Sequence, residues 1–478
     1  MLGLFSTLSL GARSLQAQQT AVEIAGQNLA NVNNRAYTRQ RVQIQTSPAI
    51  NTGIGPQGTG AQAVALQQLR DAMVEQQILS ESSNAGFLTA RQQALQYAQT
   101  GLGEFIDRNA DATGSATSGT GALSGMADEL NGLFNAFQSV ATATAAASPN
   151  ALTERQALLN QAQLLADRFN QSATRLSKLS GQLDESLKQD LATANELLSG
   201  IATLNQQIMG SELGATGVAN DLRDLRQQKL QELGQLVNFE TTEFNGGVDI
   251  SIGGVPLVTG MNVTDTLEAH YGGNGELLVR TVTSVTDLNP TGGALAGVID
   301  VRDGALKALR DGLDSLAGAL ITEVNNLHRT GFSLTGSTGA DFFTGTNAAT
   351  LAVNQGLKDN PALIQIAGAS GAAGDNAVGL ALAHLADSAQ ATLGNQTFSD
   401  DYGRLVAQLG AELSGANDQL SAHEVVARML QQQRDAVSGV SIDEEMSDLV
   451  RFQRAYQASA RIISTVDEML QTVLSLKQ

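Results

Sequence analysis

Leu8, Leu15, Val22 and Leu29 recur every seven residues near the N-terminus, and Leu449, Tyr456, Ile463 and Leu470 do the same near the C-terminus. Each stripe is one or two residues wide, narrower than the face a core helix buries. A narrow seam with this period is what a coiled-coil helix offers to a partner helix. The natural partner for one end is the other end, or the same element of a neighbouring subunit. The first helix is predicted over residues 4–34. It stops at Asn31-Val32-Asn33-Asn34, residue types that favour turns and left-handed caps. The last helix is predicted from Ser441 to about Leu476. It opens on a capping box, with Ser441 as N-cap and Glu444 three residues on. Asp443, Glu444 and Glu445 also suit the positive end of its dipole.

Between these ends the period is that of ordinary helices, then of strands, then of helices again. Helical patterns cover 61–108, 126–140 and 151–209, with a loop at 109–122. The longest carries Leu158, Leu165, Phe169, Leu176, Leu179, Leu183, Leu187, Leu191, Leu198, Ile201, Leu204 and Ile208 on one face, and would span about 90 Å. Another helix is predicted over 219–234, capped by Asn220 or Asp221. Residues 237–244, 248–252, 255–258 and 277–285 read as strands, with turns at Asn245-Gly246-Gly247 and Gly253-Gly254. Residues 300–328 revert to helix, 331–375 read as loops and short strands, and helices return at 376–391 and 402–436. The expected fold class is mainly α with an inserted β-rich domain. Residues 1–40 and 440–478 would form a terminal coiled-coil domain. Residues 41–236 and 403–439 would form an elongated helical bundle, and 237–402 a β-rich outer domain containing the helix at about 300–328.

Composition narrows the possible functions. Aromatic residues make up 4% of the chain and Trp is absent, so the cores must be built from Leu and Ala. A net charge of −19 excludes nucleic-acid binding through the overall field. Residues 1–41 run against this trend, with Arg13, Arg35, Arg39 and Arg41 against Glu23 alone. The lack of Cys excludes disulfides, thiolate metal sites and a Cys nucleophile. No apolar run is long enough to cross a membrane. The start, Met1-Leu2-Gly3-Leu4-Phe5, has no basic residue before its apolar run, so no cleaved signal peptide is expected. His270, His328, His384 and His423 are not at metal-ligand spacing. Gly53-x-Gly55-x-x-Gly58 matches a dinucleotide fingerprint only as a string, because Pro56 lies inside it and no strand–turn–helix surrounds it. No catalytic residue, cofactor or metal site is expected, and the chain reads as a non-enzyme.

Two segments go beyond periodicity. Residues 25–40, from Ala25-Gly26-Gln27-Asn28-Leu29-Ala30-Asn31 to Tyr37-Thr38-Arg39-Gln40, resemble the N-terminal signature of the bacterial flagellar axial proteins of rod, hook and hook-associated type. Ser438-Gly439-Val440-Ser441-Ile442-Asp443-Glu444-Glu445-Met446, continuing through Phe452-Gln453-Arg454-Ala455-Tyr456 to Leu470-Gln471-Thr472, is similar to the matching C-terminal signature. The middle resembles the hook-associated members. It carries Asn220-Asp221-Leu222-Arg223-Asp224-Leu225-Arg226, Ile252-Gly253-Gly254-Val255-Pro256-Leu257-Val258, His328-Arg329-Thr330-Gly331-Phe332 and Gly374-Asp375-Asn376. Asn34-Arg35-Ala36 departs from the family's usual Thr-Pro-Gly. The resemblance implies an extracellular structural protein of the flagellum, exported through the flagellar type III channel without a cleaved signal. It would polymerise as a ring at the distal end of the hook and form the hook–filament junction. Implied partners are further copies of the chain, the hook protein, the second junction protein and an export chaperone, with neither nucleic acid nor membrane among them. The alternatives are a hook or rod component, or a coiled-coil secreted surface protein. The expected assembly interface is Leu8, Leu15, Val22, Leu29, Asn31, Asn33, Tyr37, Leu449, Phe452, Tyr456, Ile463, Val466 and Leu470. A lone helix with so narrow a seam cannot offset its ordering entropy, so these ends are expected to gain order as subunits pack.

Overall fold

The computed structural model describes residues 2–52, 55–103, 125–143, 151–213, 218–244, 246–372 and 374–476. The loop expected at 109–122 and Asn245 of the expected 245–247 turn lie outside the described residues. In chain order the elements are α1 (Leu2–Ala30), β1 (Gln40–Thr46), β2 (Ile50–Thr52), β3 (Gly55–Gln57), β4 (Ala61–Gln68), α2 (Ala72–Leu102), α3 (Met126–Thr142), α4 (Ala151–Glu212) and α5 (Asn220–Leu236). The strand-rich middle follows with β5 (Glu240–Phe244), β6 (Gly247–Ile252), β7 (Val255–Thr259), β8 (Asn262–Val263), β9 (Leu267–Tyr271), β10 (Leu277–Thr281) and β11 (Asp287–Leu288). Then come α6 (Gly293–Asp300), a π-helical turn (Val301–Leu306), α7 (Lys307–His328), β12 (Phe343–Thr344), β13 (Ala352–Val353), α8 (Gln355–Asp359), α9 (Ala377–His384), α10 (Phe398–Ser438) and α11 (Ile442–Ser475). The chain is mainly α with small antiparallel sheets in its middle region.

Contacts divide the chain into two units. The first comprises Met1–Phe87, Lys188–Ala296 and Ser421–Gln478, and the second Leu88–Leu187 and Gly297–Leu420. Residues 237–402, read from the sequence as a single region, therefore divide between them. In the first unit, β5-β6-β7-β8 form one antiparallel sheet and β11-β10-β9 another. Val248, Ile250 and Ile252 of β6 are buried in strict alternation, as a sheet with one covered face requires. Gly253 and Gly254 both have positive φ, +56° and +80°, which is the backbone of a two-residue type I′ hairpin turn.

The helical expectation for 61–108 is corrected at its start. Residues Ala61–Gln68 form β4, paired antiparallel with β1, and the helix begins only at Ala72. The Ala and Leu positions that suggested a helical period also alternate, and Val42 opposite Leu66 fixes the ribbon's register. Gly55-Pro56-Gln57 is strand β3 against β2, and Gly53 of the glycine string lies outside the described residues.

In the second unit, α7 buries Leu309, Leu313, Leu316, Leu320 and Val324 on one face. Phe342 is a fully buried hub, with Phe137 at 5.1 Å, Phe343 edge-on at 4.9 Å and His328 edge-on at 5.4 Å between ring centroids. The sequence expected one helix over about 300–328; a π-helical turn interrupts it at Val301–Leu306. Every apolar position expected for the face of α4 is buried, from Leu158 to Ile208.

Candidate assembly interface

The terminal helices α1 and α11 pack along one another within the first unit, but through small residues. Ala17, Ala21, Ile24, Ala25 and Asn28 are the buried positions of α1's second half. On α11 the buried positions are Glu445, Ser459 and Val466, with Phe452 half-buried between them at the same seven-residue spacing. Ser14 Oγ and Ser459 Oγ meet at 3.0 Å. A Cβ placed on Gly11 would lie 2.9 Å from Ile463 Cγ1, so the helices approach closely because that position carries no side chain.

The leucine stripe of α1 therefore lies at the edge of the contact seam, whereas on α11 Ile463, over Gly11, and the buried Val466 belong to it. Leu8, Leu15, Val22 and Leu29 are all half-buried, one residue along from the small-residue seam. Leu449, Phe452, Ile463 and Leu470 are half-buried as well, Val466 is buried, and Tyr456 is 38% exposed. Small side chains let two helices approach closely and leave the bulkier neighbours at the seam's margins. Beyond the seam, α11 exposes Ile462 (41%), Met469 (50%), Val473 (44%) and Leu474 (67%). At 100° per residue, Ile462, Met469 and Val473 share one side of the helix.

The N-terminal end of α11 is locked by a buried polar cluster. Asn28, 1% exposed, uses its whole amide: Nδ2 donates to the Gln40 carbonyl (2.9 Å) and to Glu445 Oε2 (3.0 Å). Its Oδ1 accepts from the Tyr37 hydroxyl (2.9 Å) and from the Gln40 amide (3.0 Å). That is the full hydrogen-bonding capacity of an asparagine side chain. Arg39 bridges both acids, donating from Nε to Glu445 and from Nη1 to Glu444, each at 2.7 Å. Burial would lower the Arg39 pKa, but its bonds to the two glutamates raise it. The Tyr37 hydroxyl is pushed well above the usual phenol range by burial, and then by Asp221, Asp224 and Glu445.

The same cluster fastens the start of α5. Asp224 accepts from the Thr38 amide at 3.0 Å and from Gln68 Nε2 at 3.0 Å, with Arg70 3.5 Å away. Burial raises the Asp224 pKa against the pull of Thr38, Arg70 and Arg434. At the end of α10, Arg434 pairs with Glu75 at 2.9 Å and donates to the Arg35 carbonyl.

Two capping expectations are corrected here. Ser441 holds the N-cap position of α11 with extended backbone but makes no capping side-chain bond, and Glu444 reaches Arg39 instead of closing a box. Likewise the N-cap of α5 is Ala219, because Asn220 and Asp221 are drawn to the side chain of Gln40. In both places a partner distant in sequence wins over the local cap. Asn31 bonds back to the Gln27 carbonyl and Asn33 is exposed, so neither joins the cluster; Tyr37 does.

Sequence reasoning missed Asn28, Arg39, Gln40, Asp224 and Glu445 as site residues. The signal for Asn28 was present: it lies seven residues after Ala21 and three after Ala25, a polar side chain on the small-residue side of α1. Among the described residues no group of His, Cys, Asp and Glu could hold a metal, and no helix is long and apolar enough to cross a membrane.

Residues 117–343 match the family described as the flagellar hook-associated protein FlgK helical domain, and residues 431–476 the C-terminal family of flagellar basal body rod FlgEFG proteins. The chain is similar to flagellar hook-associated protein 1 of Bacillus subtilis, with 27% identity across 99% of both chains. It is also similar to the same protein of Escherichia coli, at 24% identity over 99% of this chain and all of the relative. The structure of the flagellar hook junction protein FlgK from Burkholderia pseudomallei superposes with a TM-score of 0.61 at 16% identity, over 76% of this chain and all of that one, and so shares the fold. A mainly helical chain whose two end signatures meet through Asn28, Arg39, Glu444 and Glu445 is thus a structural protein of the bacterial flagellum. The chain carries the FlgK helical-domain and rod-type C-terminal family matches and aligns over nearly its whole length with flagellar hook-associated protein 1.

Proposed function

We propose that this chain polymerises at the distal end of the flagellar hook and forms the hook–filament junction, with 1–40 and 440–478 as its polymerising domain. The observation that carries the reading is the row of large apolar side chains left 41–67% exposed on α11, Ile462, Met469, Val473 and Leu474. Such a row is a surface for further helices. Neighbouring copies in a ring pack against it and against the half-buried Leu8, Leu15, Val22 and Leu29 of α1. The hook protein lies on one side of the ring and the second junction protein on the other. Before export, without a cleaved signal, the same stripe of α11 is the surface an export chaperone covers. A hook or rod component would share both ends, as the match of 431–476 to rod proteins illustrates. The alignment of nearly the whole chain with hook-associated protein 1 favours the junction.

The test is electron microscopy of purified hooks incubated with gold-labelled protein. Label at the distal tip alone supports the junction. Label along the hook shaft, or none, removes it. Deletion of 440–478 abolishes tip labelling on this reading.

A further inference from the structure

We propose that the second unit carries a carboxylate-binding site whose anchor is the guanidinium of Arg155. Arg155 sits in the first turns of α4 and is 2% exposed. A guanidinium offers five N–H donors in a fixed fork. Among the described residues this one donates a single hydrogen bond, Nη1 to the Ile364 carbonyl at 2.5 Å, and has no carboxylate partner. A buried cation without an anion is costly, and the cost falls when an anion joins it. Burial alone pulls the Arg155 pKa down to about 10, so it remains charged at neutral pH.

Arg155 lines a cavity of about 370 Å³ together with Phe332, Ser333, Thr335, Ile366 and Asp375. That volume is at the small end of ligand pockets. The one acid in this lining is already occupied: Asp375 accepts from the Gly368 amide at 2.8 Å and the Ala377 amide at 3.0 Å. Those amides, Ala377 first, hold its carboxyl below the usual range, so it stays anionic. It favours a singly charged ligand over a doubly charged phosphate. His328, which feels the Arg155 charge, is neutral and has both ring nitrogens engaged, so it does not compete for the anion. Gln365, next to the carbonyl Arg155 holds, is fully buried with both amide atoms unpartnered.

The fork geometry of Arg matches a carboxylate bidentately. The carboxylate comes either from a small organic acid or from a Glu or Asp side chain of a neighbouring polypeptide. The two sources share this chemistry and are separated by experiment. The full chain is titrated with sodium acetate, with N-acetylglutamate α-amide and with neutral acetamide at constant ionic strength, and binding is read from ligand line widths by NMR. At least one carboxylate binds and acetamide does not. Arg155→Gln weakens binding roughly tenfold or more, with circular dichroism checking the fold. If that variant does not fold, Arg155→Lys, which keeps the charge and loses the fork, weakens it in the same sense. Tighter binding of acetate identifies a free acid as the source, and tighter binding of the glutamate mimic identifies a polypeptide side chain. Failure of both carboxylates to bind, or unchanged binding by a folded variant, overturns the site.

Discussion

The face of α4 and the stripes of α1 and α11 are all periodic rows of apolar residues, yet they have different fates. Each apolar position of α4 named in advance, from Leu158 to Ile208, is buried. None of Leu8, Leu15, Val22 and Leu29 is, and Tyr456 is exposed. The two kinds of stripe differ in width. A wide stripe of large side chains closes on its own chain, because several neighbours can cover it at once. A narrow stripe beside a row of Gly, Ala and Ser pairs through the small residues and leaves the large ones at the margin.

The largest expected effect comes from attacking the closed side of this comparison. Phe169→Ala removes a fully buried ring from the α4 face and should destabilise the unit that holds it by about 3–5 kcal/mol. Denaturant unfolding measures it, and a loss below about 1 kcal/mol would mean that the face is less closed than its burial indicates.

Next in size is a pH effect from the same unit. His328 is fully buried, its Nδ1–H donating to the Ala340 carbonyl at 2.8 Å and its Nε2 accepting from the Gln365 amide at 3.0 Å. Burial lowers its pKa from 6.5 to about 4. Between those values the unfolded chain binds a proton that the folded one does not. The stability is therefore whole above the unfolded value and is lost as pH falls towards the folded one. From pH 7 to pH 5 the loss should be about 2 kcal/mol. Equal unfolding midpoints at the two pH values would show that His328 can be protonated in place.

On the open side, Ala21→Leu forces a large side chain into the small-residue seam of α1, where Ala21 is 1% exposed. It should cost about 1–3 kcal/mol by overpacking. Leu15→Ala, at the half-buried margin, should cost less. The reverse order, from hydrogen exchange of α1 amides in the two variants, would restore the leucine stripe as the contact seam.

The sequence showed the helical character of most of the chain and the β6–β7 hairpin, because period and turn residues are local properties. It also contained both end signatures. It pointed to their pairing, but not to the side chains that join them. Glu444 looked like one half of a local capping box, and only the fold brings Arg39 within 2.7 Å of it. Asn220 and Asp221 looked like caps for α5 for the same reason, until Gln40 claimed them. In β4 the error was one of period, since Ala-rich alternation also satisfies a helical pattern over eight residues.

On the proposed function, the part-exposed stripe of α11 serves other chains and contributes little to its own. The most direct test is the double variant Ile462→Ser, Met469→Ser in the full-length protein, with monomer melting and hook-tip binding measured on the same preparation. Ile462 and Met469 are 41% and 50% exposed, so the melting temperature should fall by no more than about 2–4 °C, while hook-tip binding is lost. Normal tip binding, or a loss matched by a fall in monomer melting temperature, would contradict the claim.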